Sequence, residues 1–221
     1  MNMKQISEHV FQCEFELDVT VDIRIPVHIW LIRNGEDVYI IDTGIECFSD
    51  DLMKAVLSIG TPKAILLTHG HNDHIKGAAK LIEKFNIPIY AHQKELIYIN
   101  GEAPYPKKND LENTGVANVV EPLKEQTLAH LPIQYYLTPG HSPGHVVYYH
   151  EKDQILLSGD LFITSQEDLH PPIRKFSDIN ENIDSGAIID EIKPTLICSS
   201  HGKNLPYHDQ LYKKYVWNYR D

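Results

Sequence analysis

A dense run of possible metal ligands lies between residues 68 and 74 of the sequence. It contains three histidines and one aspartate within six residues: His69, His71, Asp73 and His74. Imidazole nitrogens and carboxylate oxygens bind zinc in proteins at about 2.0–2.2 Å. Because a loop can aim alternate side chains in different directions, His69 and His71 can serve one ion while Asp73 and His74 serve another. The run therefore predicts a metal site rather than a solvated polar loop.

Three shorter motifs follow downstream, each directly after an apolar stretch of the sequence. Their chemically active residues are His141, Asp160 and His201. A lone histidine at a strand end is more often structural than functional. In combination with the first run, however, these residues complete a donor set large enough for two metal ions.

The order of the motifs, HxHxDH followed by GH, GD and HG, resembles the metallo-β-lactamase superfamily over residues 41–202. The resemblance implies an α/β fold, namely a four-layer αβ/βα sandwich of two mixed β-sheets with helices on the outer faces and metals at one edge. It also implies two zinc ions per chain. The implied ligands are His69, His71 and His141 for one ion, Asp73, His74 and His201 for the other, and Asp160 as a bridge between them.

This arrangement implies a hydrolytic chemistry. Two zinc ions about 3.5–4 Å apart share a water and lower its pKa toward about 7, which gives a metal-bridging hydroxide nucleophile. The residues predicted to be catalytic are Asp160, which keeps the ions close, and Asp73, as the partner of the attacking water. Zinc-binding imidazoles usually donate their second N–H to an oxygen acceptor. We predict Asp42 for that supporting role and interpret His145 as a structural or supporting residue.

Two departures from related branches narrow the expected substrate. His71 stands where the di-iron flavoprotein branch has Glu, and Asp160 stands where zinc β-lactamases have Cys or Ser. The sequence is thus more similar to the glyoxalase II and lactonase branches than to true β-lactamases. We expect a dinuclear zinc hydrolase that cleaves a small-molecule ester, thioester or lactone. A mononuclear iron sulfur dioxygenase and a non-catalytic metal-binding protein on the same fold stay open as alternatives.

Length and charge restrict the partners. The 221 residues carry a net charge of −11, which disfavours a nucleic acid or an anionic membrane as partner and leaves a small-molecule substrate. No apolar run approaches the roughly 18 residues of a membrane span, and residues 1–12 lack the pattern of a secretory signal. We therefore expect a cytoplasmic protein with a single domain over residues 1–221. The oligomeric state stays open.

Hydrophobic periodicity and turn residues predict the elements that carry these motifs. Strands are predicted over residues 19–25, 27–32, 37–41, 64–68, 87–91, 116–120, 133–137, 145–150, 154–158 and 195–199. Helices are predicted over residues 52–59 with Ser49 as the N-cap, and over 75–85, 93–99, 182–192 and 207–218. Residues 100–115 and 164–180 are predicted to be irregular.

The loop over residues 100–115 is a candidate lid for the metal edge. Within it, Tyr105 is predicted to pack against the acyl part of a substrate, and Lys107 or Lys108 to attract a carboxylate or phosphate. The alternative is a solvated loop whose lysines keep the protein soluble. His28 is a weaker candidate for substrate binding, since a histidine in an apolar strand more often lies in the core or at a sheet edge.

Overall fold

Apolar strands buried on both faces form the centre of the structure, a computed structural model that describes residues 1–220. The strands are β1 (Asn2–Gln5), β2 (Val10–Asp18), β3 (Arg24–Asn34), β4 (Asp37–Ile41), β5 (Thr61–Leu66), β6 (Ile89–Ala91), β7 (Glu121–Pro122), β8 (Ile133–Leu137), β9 (Val146–His150), β10 (Ile155–Gly159), β11 (Ile163–Thr164), β12 (Leu169–His170), β13 (Leu196–Ser199) and β14 (Leu205–Pro206). The helices are α1 (Ser49–Ile59), α2 (Asn72–Ile75), α3 (Ala78–Phe85), α4 (Leu96–Ile99), α5 (Glu125–Leu128), α6 (Ile179–Ser185), α7 (Ile188–Ile192) and α8 (Leu211–Tyr219).

Two mixed sheets contain most of these strands. In the described chain, one sheet has seven strands in the order β1-β2-β3-β4-β5-β6-β7, and the other has five in the order β14-β13-β10-β9-β8. In the first sheet the pairs up to β4 are antiparallel and those from β4 to β7 are parallel. In the second sheet only β10 and β13 pair in parallel.

Alternate residues of each strand pack into different layers. Ile40 of β4 packs on the side of α1 and α3, whereas Ile41 faces the second sheet. In β13, Cys198 lies between the sheets, whereas Ile197 packs on the side of α6 and α8. Strands covered on both faces read as continuous apolar runs, as these do. The predicted four-layer αβ/βα sandwich of two mixed sheets is confirmed.

The strand predicted over residues 116–120 is wrong, and the strand predicted over residues 19–25 is correct only for its last two residues, which begin β3. Residues 19–23 form the turn between β2 and β3, and Val21 at its tip is fully exposed although its β-branched side chain suits a strand. Residues 116–120 form a turn before β7. In both segments the apolar alternation predicts a half-buried strand, but no neighbouring strand pairs with them within residues 1–220.

The helix predictions need corrections at their ends. The helix expected over residues 75–85 is divided at Gly77 into α2 and α3; a Cβ at that glycine would lie 2.4 Å from the carbonyl oxygen of Thr43. Residues 182–192 divide into α6 and α7, and the last helix begins at Leu211 rather than at residue 207. Ser49 is not the N-cap of α1: Phe48 is, and the Ser49 hydroxyl donates to the Gly77 carbonyl at 3.3 Å.

The loop over residues 100–115 is confirmed as irregular, while residues 164–180 also contain the short strand β12. None of the helices in residues 1–220 has the length and apolarity needed to cross a membrane.

Gly140 tests how closely α6 packs on the loop after β8. Its φ is 125°, and an added Cβ would lie 2.3 Å from the backbone nitrogen of Asn182. We expect Gly140→Ala to lower the free energy of unfolding by about 3 kcal/mol or more, because backbone strain and overlap with α6 add. Urea denaturation measures the loss. Gly35→Ala is the control: φ is 64° there, but nothing lies within 4 Å, so about 1–2 kcal/mol is expected. Equal losses would contradict the close packing.

Candidate metal centre

The seven predicted ligands converge at one edge of the two sheets. Each of them follows the carboxyl end of a strand, and the strands concerned are β5, β8, β10 and β13. Strand β8 runs antiparallel to β9 and therefore parallel to β10 and β13, so that these three strand ends lie at the same edge. The first sheet joins them there because the Val146 N–H donates to the Thr68 carbonyl at 2.9 Å.

His69, His71 and His141, the first group, place three ring nitrogens together. Nε2 of His141 lies 2.9 Å from Nδ1 of His71 and 3.2 Å from Nε2 of His69. All three side chains are buried. Three nitrogens at this spacing suit a shared metal ion, because imidazole nitrogens are common ligands of zinc.

Asp73, His74 and His201, the second group, combine one carboxylate with two imidazoles. Oδ2 of Asp73 lies 3.3 Å from Nε2 of His201 and 3.8 Å from Nε2 of His74. The two histidines are buried, whereas the Asp73 side chain is 29% exposed and lines a cavity. This group also has the composition of a zinc site.

Asp160 lies between the two groups and contacts both. Its Oδ2 lies 3.4 Å from Nε2 of His141, in the first group. Its Oδ1 lies 3.4 Å from Nε2 of His74 and 3.5 Å from Nε2 of His201, in the second. One carboxylate oxygen therefore faces each group.

Burial and charge give the two groups different protonation. Burial lowers the pKa of every histidine in the first group, that of His141 to about 4. Burial also acts to lower the pKa of His74 and His201, but the facing carboxylates, Asp160 first, outweigh it. They raise the pKa of His74 well above its usual value and that of His201 to about 9. At neutral pH the first group is thus neutral and the histidines of the second carry protons.

The two carboxylates respond in the opposite sense. Burial acts to raise the pKa of Asp73 and Asp160, but their histidine neighbours lower both pKa values well below the usual range. For Asp160 the strongest of these neighbours is His201, and for Asp73 it is His74. Both carboxylates are therefore ionised at neutral pH and available as anionic ligands.

Outward hydrogen bonds orient the imidazoles. Nδ1 of His74 lies 2.8 Å from Oδ2 of Asp42, a carboxylate that also accepts from the Thr68 N–H at 2.8 Å and hydroxyl at 2.7 Å. Nδ1 of His201 lies 2.8 Å from the Pro26 carbonyl oxygen. With Nδ1 held by an oxygen acceptor, Nε2 of each ring faces inward and can bind a metal ion once it has lost its proton.

His145 contacts the backbone of Asp160. Its Nε2 accepts from the Asp160 N–H at 3.0 Å, and its Nδ1 lies 2.9 Å from the Thr138 hydroxyl. Burial lowers the pKa of His145 to about 3, so that the ring stays neutral and able to accept. The structure therefore places His145 behind Asp160 rather than among the converging nitrogens.

The structure brings Lys108 to the centre but not Tyr105 or Lys107. Lys108 lines the same cavity as His71 and pairs with Glu112 at 2.7 Å. Tyr105 is buried beneath His71 with ring centroids 4.5 Å apart, and its hydroxyl donates inward, so it does not offer the expected acyl contact. The Lys107 ammonium donates to the Ser177 carbonyl at 2.6 Å, away from that cavity.

His28 lies near the centre but not in the cavity that the ligand groups face. It lines a neighbouring cavity of about 750 Å³ instead. Its Nδ1 lies 3.0 Å from the Ser199 carbonyl oxygen, and its Nε2 lies 3.4 Å from Glu14. The contact with Ser199 joins β3 to the end of β13, whereas Glu14 lies on the neighbouring strand β2.

The cavity at the ligand groups has a volume of about 430 Å³, the size of a small-molecule site. Its wall is largely apolar, and the apolar residues are Ile25, Pro26, Ile163, Pro172, Ile173 and Phe176.

Sequence reasoning missed two residues that contact the centre. Glu95 is fully buried and accepts hydrogen bonds from both ligand-bearing loops. The Ser177 hydroxyl lies 3.1 Å from Nδ1 of His141. Glu95 follows a polar stretch that is typical of a surface turn, and Ser177 lies in a segment predicted to be irregular. The sequence around each residue therefore gives no indication of a role at the metal centre.

The chain belongs to the metallo-β-lactamase superfamily, because the sequence model of that family matches residues 23–201. Its relatives include proteins described as metallo-hydrolases and hydroxyacylglutathione hydrolases, which supports a hydrolase within that superfamily. Members of the superfamily bind metal ions.

Individual relatives are similar to different extents. The chain is 72% identical to "Probable metallo-hydrolase YybB" of Bacillus subtilis (strain 168), over 100% of both chains. It is 27% identical to a hydroxyacylglutathione hydrolase of Wigglesworthia glossinidia brevipalpis, over 83% of this chain and 64% of that protein. Among solved structures, the DIM-1 metallo-β-lactamase exposed to ceftazidime aligns with a TM-score of 0.76 and 18% identity, over 96% of this chain and 93% of that one. That last likeness concerns the fold.

The centre fits metal ions on its own geometry. Nε2 of His74 and Oδ1 of Asp160 are buried, and neither makes a hydrogen bond within the described chain. Polar atoms buried in this way are costly unless a partner satisfies them. A cation between the groups would satisfy both.

Proton release tests the electrostatics of the second group. At pH 7, zinc binding is expected to release about two protons per chain from His74 and His201, which have raised pKa values and must lose their protons before they bind metal, and part of one more from a metal-bound water. The neutral first group adds none. Titration calorimetry in buffers of different ionisation enthalpy measures the number, and His201→Ala should lower it by about one. A release near zero for the unchanged protein would contradict this assignment.

Proposed function

We propose that the protein is a dinuclear zinc hydrolase that cleaves a small-molecule ester, thioester or lactone. The observation that carries the proposal is the position of Asp160, with one carboxylate oxygen toward each histidine group. A site for one ion would not need a carboxylate shared between two groups. The hydroxyacylglutathione hydrolase among the relatives supports an acyl substrate.

The proposed ligands divide as the geometry does. His69, His71 and His141 would bind one ion; Asp73, His74 and His201 would bind the other; Asp160 would contact both. When bound, such a pair supplies Lewis acidity and lowers the pKa of water toward about 7.

The chain's own residues orient water and substrate. Asp73 is ionised and lines the cavity, so it can accept a hydrogen bond from the attacking water. Asp42 and His145 hold His74 and Asp160 in place through the bonds described above. The apolar wall, with Ile163 and Phe176, suits the hydrocarbon part of an acyl group.

Lys108 gives the cavity a cationic position. Its ammonium lies 5.5 Å from the ring centroid of Tyr105 and 5.6 Å from that of Phe176, and it pairs with Glu112. An anionic group on the substrate would compete with Glu112 for this ammonium. We therefore propose Lys108, and neither Lys107 nor Tyr105, as a substrate contact.

A hydrolysis screen with the zinc-loaded protein tests the proposal. Esters, thioesters and lactones are compared, each as an anionic and a neutral version of similar shape. Asp160→Asn is expected to lower kcat by about 100-fold or more, because the substitution weakens the shared contact between the two ions.

The matched control is Asp153→Asn. Asp153 is also a partly buried carboxylate that contacts histidine, with Oδ1 2.8 Å from Nδ1 of His9, but it lies beyond the far end of β9. It should lose stability and keep turnover. Wild-type turnover in Asp160→Asn with both ions bound would reject the shared role. Activity that depends on one iron ion would favour the sulfur dioxygenase instead.

A further inference from the structure

Glu95 is a buried carboxylate that the proposed chemistry does not use. It ends a 3-10 turn, Gln93–Glu95, that follows β6, and its relative exposure is 0%. Burial raises the pKa of its carboxyl group, whereas donated hydrogen bonds act to lower it. Lys, Arg and protonated His are absent from its hydrogen-bond partners in residues 1–220. A buried charge without a cationic partner is costly, so its position requires a reason.

The two oxygens of Glu95 accept hydrogen bonds from three loops: the loop after β5, the loop over residues 100–115 and the loop after β8. Oε2 accepts from the Gly70 N–H at 3.0 Å and from the Tyr105 hydroxyl at 2.5 Å. Oε1 accepts from the Ser142 hydroxyl at 2.7 Å and from the Gly144 N–H at 2.7 Å. Each carboxylate oxygen therefore accepts one hydrogen bond from a backbone N–H and one from a hydroxyl.

These donors adjoin the first histidine group. Gly70 lies between His69 and His71 in the loop after β5, and Ser142 directly follows His141 in the loop after β8. Glu95 thus connects a loop of the first sheet to a loop of the second. The distance between these loops sets the distance between His141 and the other two imidazoles.

The contacts leave little room for adjustment. A Cβ at Gly144 would lie 2.8 Å from the Glu95 backbone nitrogen, and a Cβ at Gly70 would lie 2.4 Å from the Tyr105 hydroxyl. Both loops therefore approach Glu95 and Tyr105 as closely as a backbone without side chains allows.

We propose that Glu95 is a positioning residue that fixes the separation of the two loops and thereby the geometry of the first metal site. This inference rests on the proposed metal-binding function of His69, His71 and His141. Glu95 acts through the loops that carry these imidazoles, because its hydrogen bonds to those loops go to other residues and not to the imidazoles themselves.

Glu95→Gln tests the role of the carboxylate. The amide keeps the shape, but only its oxygen can accept, so its NH₂ group must face one of two donor pairs, Gly70 with Tyr105 or Ser142 with Gly144. We expect zinc affinity at the first site, measured by chelator competition, to fall by about 10-fold or more, the range seen when partners of metal ligands are removed. Cobalt substitution should show an altered absorption spectrum for that site. The affinity of the second site should change little.

Two milder variants and one control complete the test. Tyr105→Phe removes one donor to Oε2, and Ser142→Ala removes one donor to Oε1; each should weaken the first site by a smaller factor. If Glu95→Gln does not fold, these two variants test the positioning role of Glu95 on their own. Asp153→Asn reports the effect of a destabilising change far from the centre and should leave the zinc affinity of the first site unchanged.

The outcomes separate this inference from the proposed function. If the unchanged protein binds two zinc ions and all three variants keep its affinities and cobalt spectrum, the positioning role is wrong. The same follows if Asp153→Asn weakens the first site as much as Glu95→Gln does. If the unchanged protein binds no zinc at the histidine groups, the proposed function fails, and the positioning role fails with it.

Discussion

The buried carboxylate of Asp160 faces two histidine groups at once, and the positions of the surrounding loops depend on this arrangement. Asp160 places Oδ2 3.4 Å from His141 and Oδ1 3.4 Å from His74. Burial of a charge is costly unless partners compensate it. The ligands on both sides therefore have to occupy fixed positions, and they come from loops of two different sheets.

The sandwich provides those positions because its sheets are bonded to each other at the ligand edge. The Tyr148 hydroxyl in the second sheet donates to the Leu67 carbonyl at 2.8 Å, directly after β5 of the first. The His28 N–H in the first sheet donates to the Ser200 carbonyl at 2.9 Å, directly before His201. Glu95 adds a further connection. The loops at the centre are therefore irregular in conformation yet held by many buried hydrogen bonds, which limits their movement.

The sequence indicates the fold and the ligand cluster well, because both depend on local patterns. The strand before His69 is apolar at successive positions, since it is buried on both faces. The order and spacing of the motifs can be read from the sequence even where the predicted ends of strands and helices are wrong. The predictions that failed concern residues whose environment is set by tertiary contacts. Residues 19–25 have the β-branched pattern of a strand, but residues 19–23 form a turn, and pairing with β2 begins only at Arg24. Glu95 resembles an exposed residue of a polar turn, and only the approach of two distant loops shows that it is buried. The Tyr105 side chain likewise points inward, where its hydroxyl donates a hydrogen bond to Glu95.

The central claim is that two zinc ions bind between these groups. Anomalous diffraction from zinc-loaded crystals, recorded above and below the zinc absorption edge, tests it most directly. The account predicts two anomalous peaks about 3.5–4 Å apart, one beside His69, His71 and His141 and the other beside Asp73, His74 and His201, with Asp160 between them. A single peak under zinc-replete conditions, or peaks away from these residues, would contradict it.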